Sequence, residues 1–182
     1  SSSFGSAGAN QTWNLTFSGT PTTLNSIISA PANTPAGTSF PGASVAYVNG
    51  GTDYAYYNVS SAELELVGAY SANAGVTFNY SDGEEQIRYP FTYNDSFTDT
   101  WSNTYLVSGF LAHRIGTSNV QADGYGTLTT PAGTFTNVLR LKYIQNYKDS
   151  INIMGTTSVT LINSENYVWY TPGTHFPLAT IA

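Results

Sequence analysis

The chain has 182 residues, 41% hydrophobic and 14% aromatic, but only 9% charged, with a formal net charge of −6. That length suits one domain with a real core, and so little charge among so many rings excludes disorder driven by charge repulsion. Five cations (Arg88, Arg114, Arg140, Lys142, Lys148) cannot build the basic surface of a nucleic-acid binder, and the absence of cysteine excludes disulfides, thiolate metal sites and cysteine nucleophiles.

In chain order, residues 1–44 read as an irregular, Pro/Gly-rich N-terminal segment. Pro21, Pro31, Pro35 and Pro41 interrupt it, and prolines at that density break helices and block central strands. Its apolar anchors, Trp13, Leu15, Phe17, Leu24, Ile27, Ile28 and Phe40, predict a segment packed on the domain, with Ile27 and Ile28 suited to a short helical turn. Ser1 to Gly5 has neither the basic region nor the apolar stretch of a signal peptide. No apolar run approaches the ~18 residues that cross a bilayer as a helix, so no membrane span is expected.

Residues 45–182 follow a period of two. Leu64, Leu66 and Tyr70 alternate with Glu63 and Glu65. Val76, Phe78 and Tyr80 lead to Ser81-Asp82-Gly83-Glu84, whose Asp-Gly pair predicts a tight hairpin turn, with Ile87 to Tyr93 returning beyond it. Tyr105, Val107, Gly109, Leu111, His113 and Ile115 read as one face of a long strand. A strand over 125–130 ends at Pro131-Ala132-Gly133, a turn by composition. Phe135, Leu139, Leu141, Tyr143 and Tyr147 then share a face opposite Arg140, Lys142 and Lys148. Val159–Ile162, Tyr167–Tyr170 and Phe176–Ile181 supply further strands, and no segment keeps a helical period. The reading is a single all-β domain, a mostly antiparallel meander of about ten strands. Such a sheet curls into a half-barrel or barrel, or folds into a two-layer sandwich.

Reactive constellations are scarce. No Gly-x-Ser-x-Gly elbow is present, and two histidines, His113 on a strand face and His175 in the final turn, read as structural. The carboxylate pairs available to a glycosidase are Glu63/Glu65, Glu84/Glu85 and Asp95/Asp99. Glu63 and Glu65 share one side of a strand, whereas Glu84 and Glu85 are expected to flank a solvated turn. Asn94, Asp95 and Asp99 collect hard oxygen donors and are the calcium candidates, set against a plain Asx turn. Arg140, Lys142 and Lys148 are expected to pair with acids on neighbouring strands rather than form an anion site. No cofactor is called for.

The stretch from Asp123 to Lys142, DGYGTLTTPAGTFTNVLRLK, resembles the DGYGTL…GTF.NVLRLK signature of exported β-rich domains of Bacteroidota type IX secretion proteins. Gly5–Asn14, Tyr89–Asp95, Tyr167–Gly173 and Phe176–Leu178 match in the same order, so the resemblance spans nearly the whole chain. The GTF.NVLRLK element is also similar to that of curved-sheet lipoprotein carriers. What the resemblance implies is a secreted or surface-displayed domain with no assigned reaction, its C-terminal sorting domain cleaved or left out. It also makes Asp149-Ser150-Ile151 resemble a Bacteroidota O-glycosylation triplet, with Ser150 as the acceptor.

Three functions follow as expectations. The first is a non-catalytic secreted or cell-surface domain for display, adhesion or assembly, including a polymer subunit, with a protein partner or a second copy. The second is a curved-sheet binder of an apolar ligand or glycan, which requires an open concave face. The third is a glycoside-active enzyme working through a carboxylate pair.

Overall fold

The structure, a computed structural model, describes residues 4–16, 25–174 and 176–182; Phe17, Pro21, Leu24 and His175 lie outside the described residues. The alternation after Val45 becomes one sheet. Its strands are β1 (Gly8–Asn14), β2 (Ser26–Ser29), β3 (Val45–Asn49), β4 (Asp53–Val59), β5 (Glu63–Ser71) and β6 (Val76–Arg88), followed by β7 (Ser96–Val107), β8 (Phe110–Thr130), β9 (Gly133–Ile153), β10 (Thr156–Tyr170) and β11 (Ala179–Ile181). From β2 to β11 every strand pairs antiparallel with its neighbours in sequence, and the sheet curls into a half-barrel. The expected all-β meander is therefore present, as a curled single sheet rather than a sandwich.

Turn chemistry sets its register. Ser108 and Gly109 both have positive φ, 51° and 83°, and join the Val107–Phe110 pair as a two-residue hairpin turn. Met154 and Gly155 do the same between β9 and β10. Such mirror-image turns match the twist of the flanking strands. The Ser108 turn corrects the reading of residues 105–115 as one long strand: the chain doubles back there, and His113 and Ile115 are exposed rather than packed. Pro131-Ala132 does turn the chain as expected, between the paired Thr130 and Gly133.

The Asp82-Gly83 pair does not form the predicted hairpin turn. β6 runs straight through it, and the reversal lies earlier, at residues 72–75, where Gly75 supplies a positive φ. Residues 80–84 instead carry register shifts against both β5 and β7, a bulge that bends the strand where the two ladders part.

The N-terminal segment is less irregular than its prolines predict. Ile27 and Ile28 sit in β2, not in a helical turn, paired with Val48 and Tyr47. β1 runs parallel to β8, with Gly8 against Gly124 and Trp13 against Leu128. It takes the edge of β8 left vacant beyond the end of β7, which pairs only as far as Gln121. A bare edge is a pairing hazard, and β1 covers it. The approach is close: a Cβ on Gly126 would stand 1.9 Å from the Gln11 carbonyl oxygen, so only glycine fits.

Burial falls into three clusters. Phe97, Val120, Leu141, Tyr143 and Val168 pack inside the curl. On the outer side, Trp13, Leu15, Leu128, Val138 and Trp169 pin β1 against β8–β10. Phe40, Ala46 and Tyr56 pack the two 3-10 turns at Pro31–Asn33 and Gly37–Ser39 onto β3–β5. There the Tyr56 hydroxyl hydrogen-bonds to Thr34 Oγ1 at 2.9 Å.

Candidate functional site

Alternation sends the odd residues of β3 and β4 inward while Ala46, Tyr54 and Tyr56 face the outer cluster. Val45, Tyr47, Tyr57 and Val59 thereby face β10 and the loop after it. Tyr170, Pro172 and Phe176 project from that opposite wall, and Leu64, Ile87, Leu139 and Leu141 line the cleft between the two. The Tyr47 and Phe176 rings meet at 5.1 Å, so the two ends of the sheet touch without sealing. Along the rim, Tyr93 meets Tyr125 edge-on at 5.2 Å. The half-open cleft has a volume of about 950 Å³, at the upper end of the range for small-molecule sites.

The lining is apolar and ring-rich, with Thr92, Thr171, Thr174 and Thr180 and the amide-bearing Asn137 as its non-aromatic polar residues. Among the described residues it contains no Asp, Glu, Lys or Arg. Burial raises the Tyr57 phenol well above its ordinary value and pushes Tyr170 up to about 12. Tyr89 moves the same way for the same reason. These hydroxyls therefore stay protonated and uncharged at physiological pH, able to donate a hydrogen bond.

A second inward cluster is polar and enclosed. Trp101 Nε1 donates to Ser118 Oγ at 2.9 Å, and Ser118 Oγ donates to Glu84 Oε1 at 2.5 Å. Gln145 Nε2 reaches the same oxygen at 2.5 Å. Glu84 is only 4% exposed, which overturns its reading as a solvated turn residue. With no hairpin turn at Asp82-Gly83, the bulged strand carries Glu84 into the sheet. Burial raises its carboxyl pKa, opposed by the Ser118 and Gln145 hydrogen bonds and reinforced by the nearby Asp99. Its signal was in the sequence only as an acid after a bulge-prone Asp-Gly pair.

The other predicted residues do not converge. Asp95 Oδ2 accepts from the Thr92 backbone N–H at 2.7 Å and the Thr92 hydroxyl at 2.9 Å, while Asn94 takes a left-handed φ of 75°. The Asp95 N–H donates to the Thr92 carbonyl at 2.9 Å, so the carboxylate closes a backbone β-turn rather than an Asx turn. Asp99 lies four residues along β7, about 13 Å away by the strand repeat, and accepts from the Glu85 N–H at 2.9 Å where the β6 and β7 ladders separate. Among the described residues no three His, Asp or Glu side chains gather as a metal site.

Glu63 stands opposite Arg88 and Glu65 opposite Glu85, and neither lines the cleft. Ser150 is half-buried in mid-strand between His113 and Val159, and Asp149 beside it is bound to Arg114 at 2.6 Å. Two of the three clustered cations have acid partners on adjacent strands as expected: Arg140 with Asp123 at 2.8 Å and Lys142 with Glu165 at 3.0 Å.

Comparison of the chain with protein families, curated proteins and solved structures finds no match.

Proposed function

We propose that this chain is a non-catalytic domain of a secreted or cell-surface protein, and that it holds an apolar ligand in the cleft of its half-barrel. One observation carries the reading: a cavity of about 950 Å³, walled by both ends of the sheet and lined by rings and aliphatic chains, with no charged residue among those described. Burying apolar area in such a site is favourable at roughly 25 cal/mol per Å². Hydrolytic chemistry has little support, since no carboxylate lines the cleft. Titration with Nile red, a neutral apolar dye, tests the reading. Saturable one-to-one binding is expected, weakened at least tenfold in Leu139→Trp, whose indole projects into the middle of the cleft lining. An unsaturable response, or one indifferent to that substitution while circular dichroism stays unchanged, removes the reading.

A second reading is display or assembly through contact between copies of the chain. It is favoured by the outer face near the far hairpins, where Leu106, Leu111, Ile115 and Leu161 are 57%, 49%, 47% and 75% exposed. Single hydrophobes at the surface are ordinary, but neighbouring ones mark interaction surfaces. Sedimentation velocity separates the two: concentration-dependent association supports assembly, and a monomer at every concentration discards it.

A further inference from the structure

Resting on the ligand-binding reading above, we infer that the cleft selects an uncharged amphiphile, with a long apolar body and a hydroxyl or ester head, over a matched anion or cation. Charge placement sets this preference. Of the five cations, Arg88 is paired with Glu85, Arg114 with Asp149, Arg140 with Asp123 and Lys142 with Glu165. Lys148 lies on the outer face, in register with Ile115 and Leu161. None lines the cleft. An anionic head drawn inside would leave water with no cation to receive it, a large desolvation cost. The net charge of −6 opposes it at longer range.

A cationic head finds no carboxylate in the lining, because Glu84 is engaged by Ser118 and Gln145 outside it. The tyrosine faces offer only cation–π attraction, the weaker compensation. The walls do offer neutral polar groups: the Tyr57 and Tyr170 phenols and the exposed Asn137 amide at the rim, with the Thr92 and Thr174 hydroxyls, whose protons go to Asp95 and the Thr171 carbonyl, as acceptors. These suit a hydroxyl or an ester carbonyl.

The test measures dissociation constants at pH 8 for 1-monomyristoylglycerol, sodium myristate and myristoylcholine, each below its micelle-forming concentration, by displacement of Nile red. The monoglyceride is expected to bind roughly tenfold or more tightly than either charged ligand, a difference of about 1.4 kcal/mol. Asn137→Lys places an ammonium at the rim and is expected to tighten myristate binding, narrowing the gap to the monoglyceride about tenfold. Equal or tighter binding of myristate or myristoylcholine overturns the inference but keeps the cleft as a ligand site. An unchanged gap in a folded Asn137→Lys also overturns it, since the selectivity would not then come from the missing cation. Failure of all three ligands and of Nile red to bind overturns the ligand-binding reading itself.

Discussion

Arg140 keeps its charge at 1% exposure because Asp123 meets it through two N–H···O bonds, from Nε at 2.8 Å and Nη2 at 2.9 Å. Nη1 donates to the carbonyl oxygens of Phe4 and Gly5, and the guanidinium lies over the rings of Trp13, Tyr167 and Trp169. Removing one partner of such a pair leaves the other buried and alone. Arg140→Met is therefore expected to cost about 3–5 kcal/mol in denaturant unfolding, with most of it recovered in the Arg140→Met/Asp123→Leu double variant.

Glu84 is the opposite case. Its folded pKa is raised, chiefly by burial, so the folded state holds the proton more tightly than the unfolded chain. Stability from this group is full below the ordinary carboxyl value and falls as pH rises through the raised one. Asp99 and the Tyr57, Tyr80 and Tyr143 phenols, which feel the same charge, share its surroundings. Glu84→Gln retains the oxygen that Ser118 and Gln145 need. It is expected to flatten melting temperature against pH from pH 4.5 upward and to raise it by about 2–4 °C at pH 8, roughly 1 kcal/mol for a chain of this size. A variant melting lower than the parent at pH 8 would contradict this.

Strand β1 shows how the most distinctive sequence segments divide their work. Trp13, Asp123, Gly124, Gly126, Arg140 and Trp169 converge on the outer side as a clasp for β1, while Tyr125 turns to the cleft rim. Tyr89 to Tyr93, Tyr170 to Gly173 and Phe176 line the cleft. Gly126→Ala drives a methyl into the Gln11 backbone. The expected results are a loss of roughly 1–3 kcal/mol, a red-shifted tryptophan emission, and early proteolysis ahead of residue 16; an unaltered digestion pattern would deny the clasp its role. The strands after Val45 were legible because one-sided burial writes itself into alternate residues. β1 and β2 were not, because each is short and borrows its partner from elsewhere: β1 needs the edge that β7 leaves, and β2 needs Tyr47 and Val48. The Ser108 turn was hidden because apolar residues continue through it on both sides, from Leu106 to Leu111.

At the scale of the whole molecule, curvature makes the site. Nothing in the spacing of Tyr47 and Phe176 announces that they touch, since their meeting depends on the twist accumulated over all the strands between. The sequence could offer a ring-rich inner face but not decide whether that face would be filled. Part of it is filled, by Trp101, Tyr147 and the Glu84 network, while the part beneath Tyr57 and Tyr170 stays open. A ligand that binds only the folded form at a hundred times its dissociation constant is expected to add about 2.7 kcal/mol. That corresponds to about 5–10 °C in a thermal scan, and Leu139→Trp should lose the shift.

The Arg140 contact with the Phe4 carbonyl joins positions 136 residues apart in sequence. Closing so wide a loop is slow, and little rewards it until β8, β9 and β10 have formed the groove that receives Trp13. The β1 segment is thus the last to be seated, and in pulse-labelled refolding its amides should gain protection after those of the hairpins it fastens.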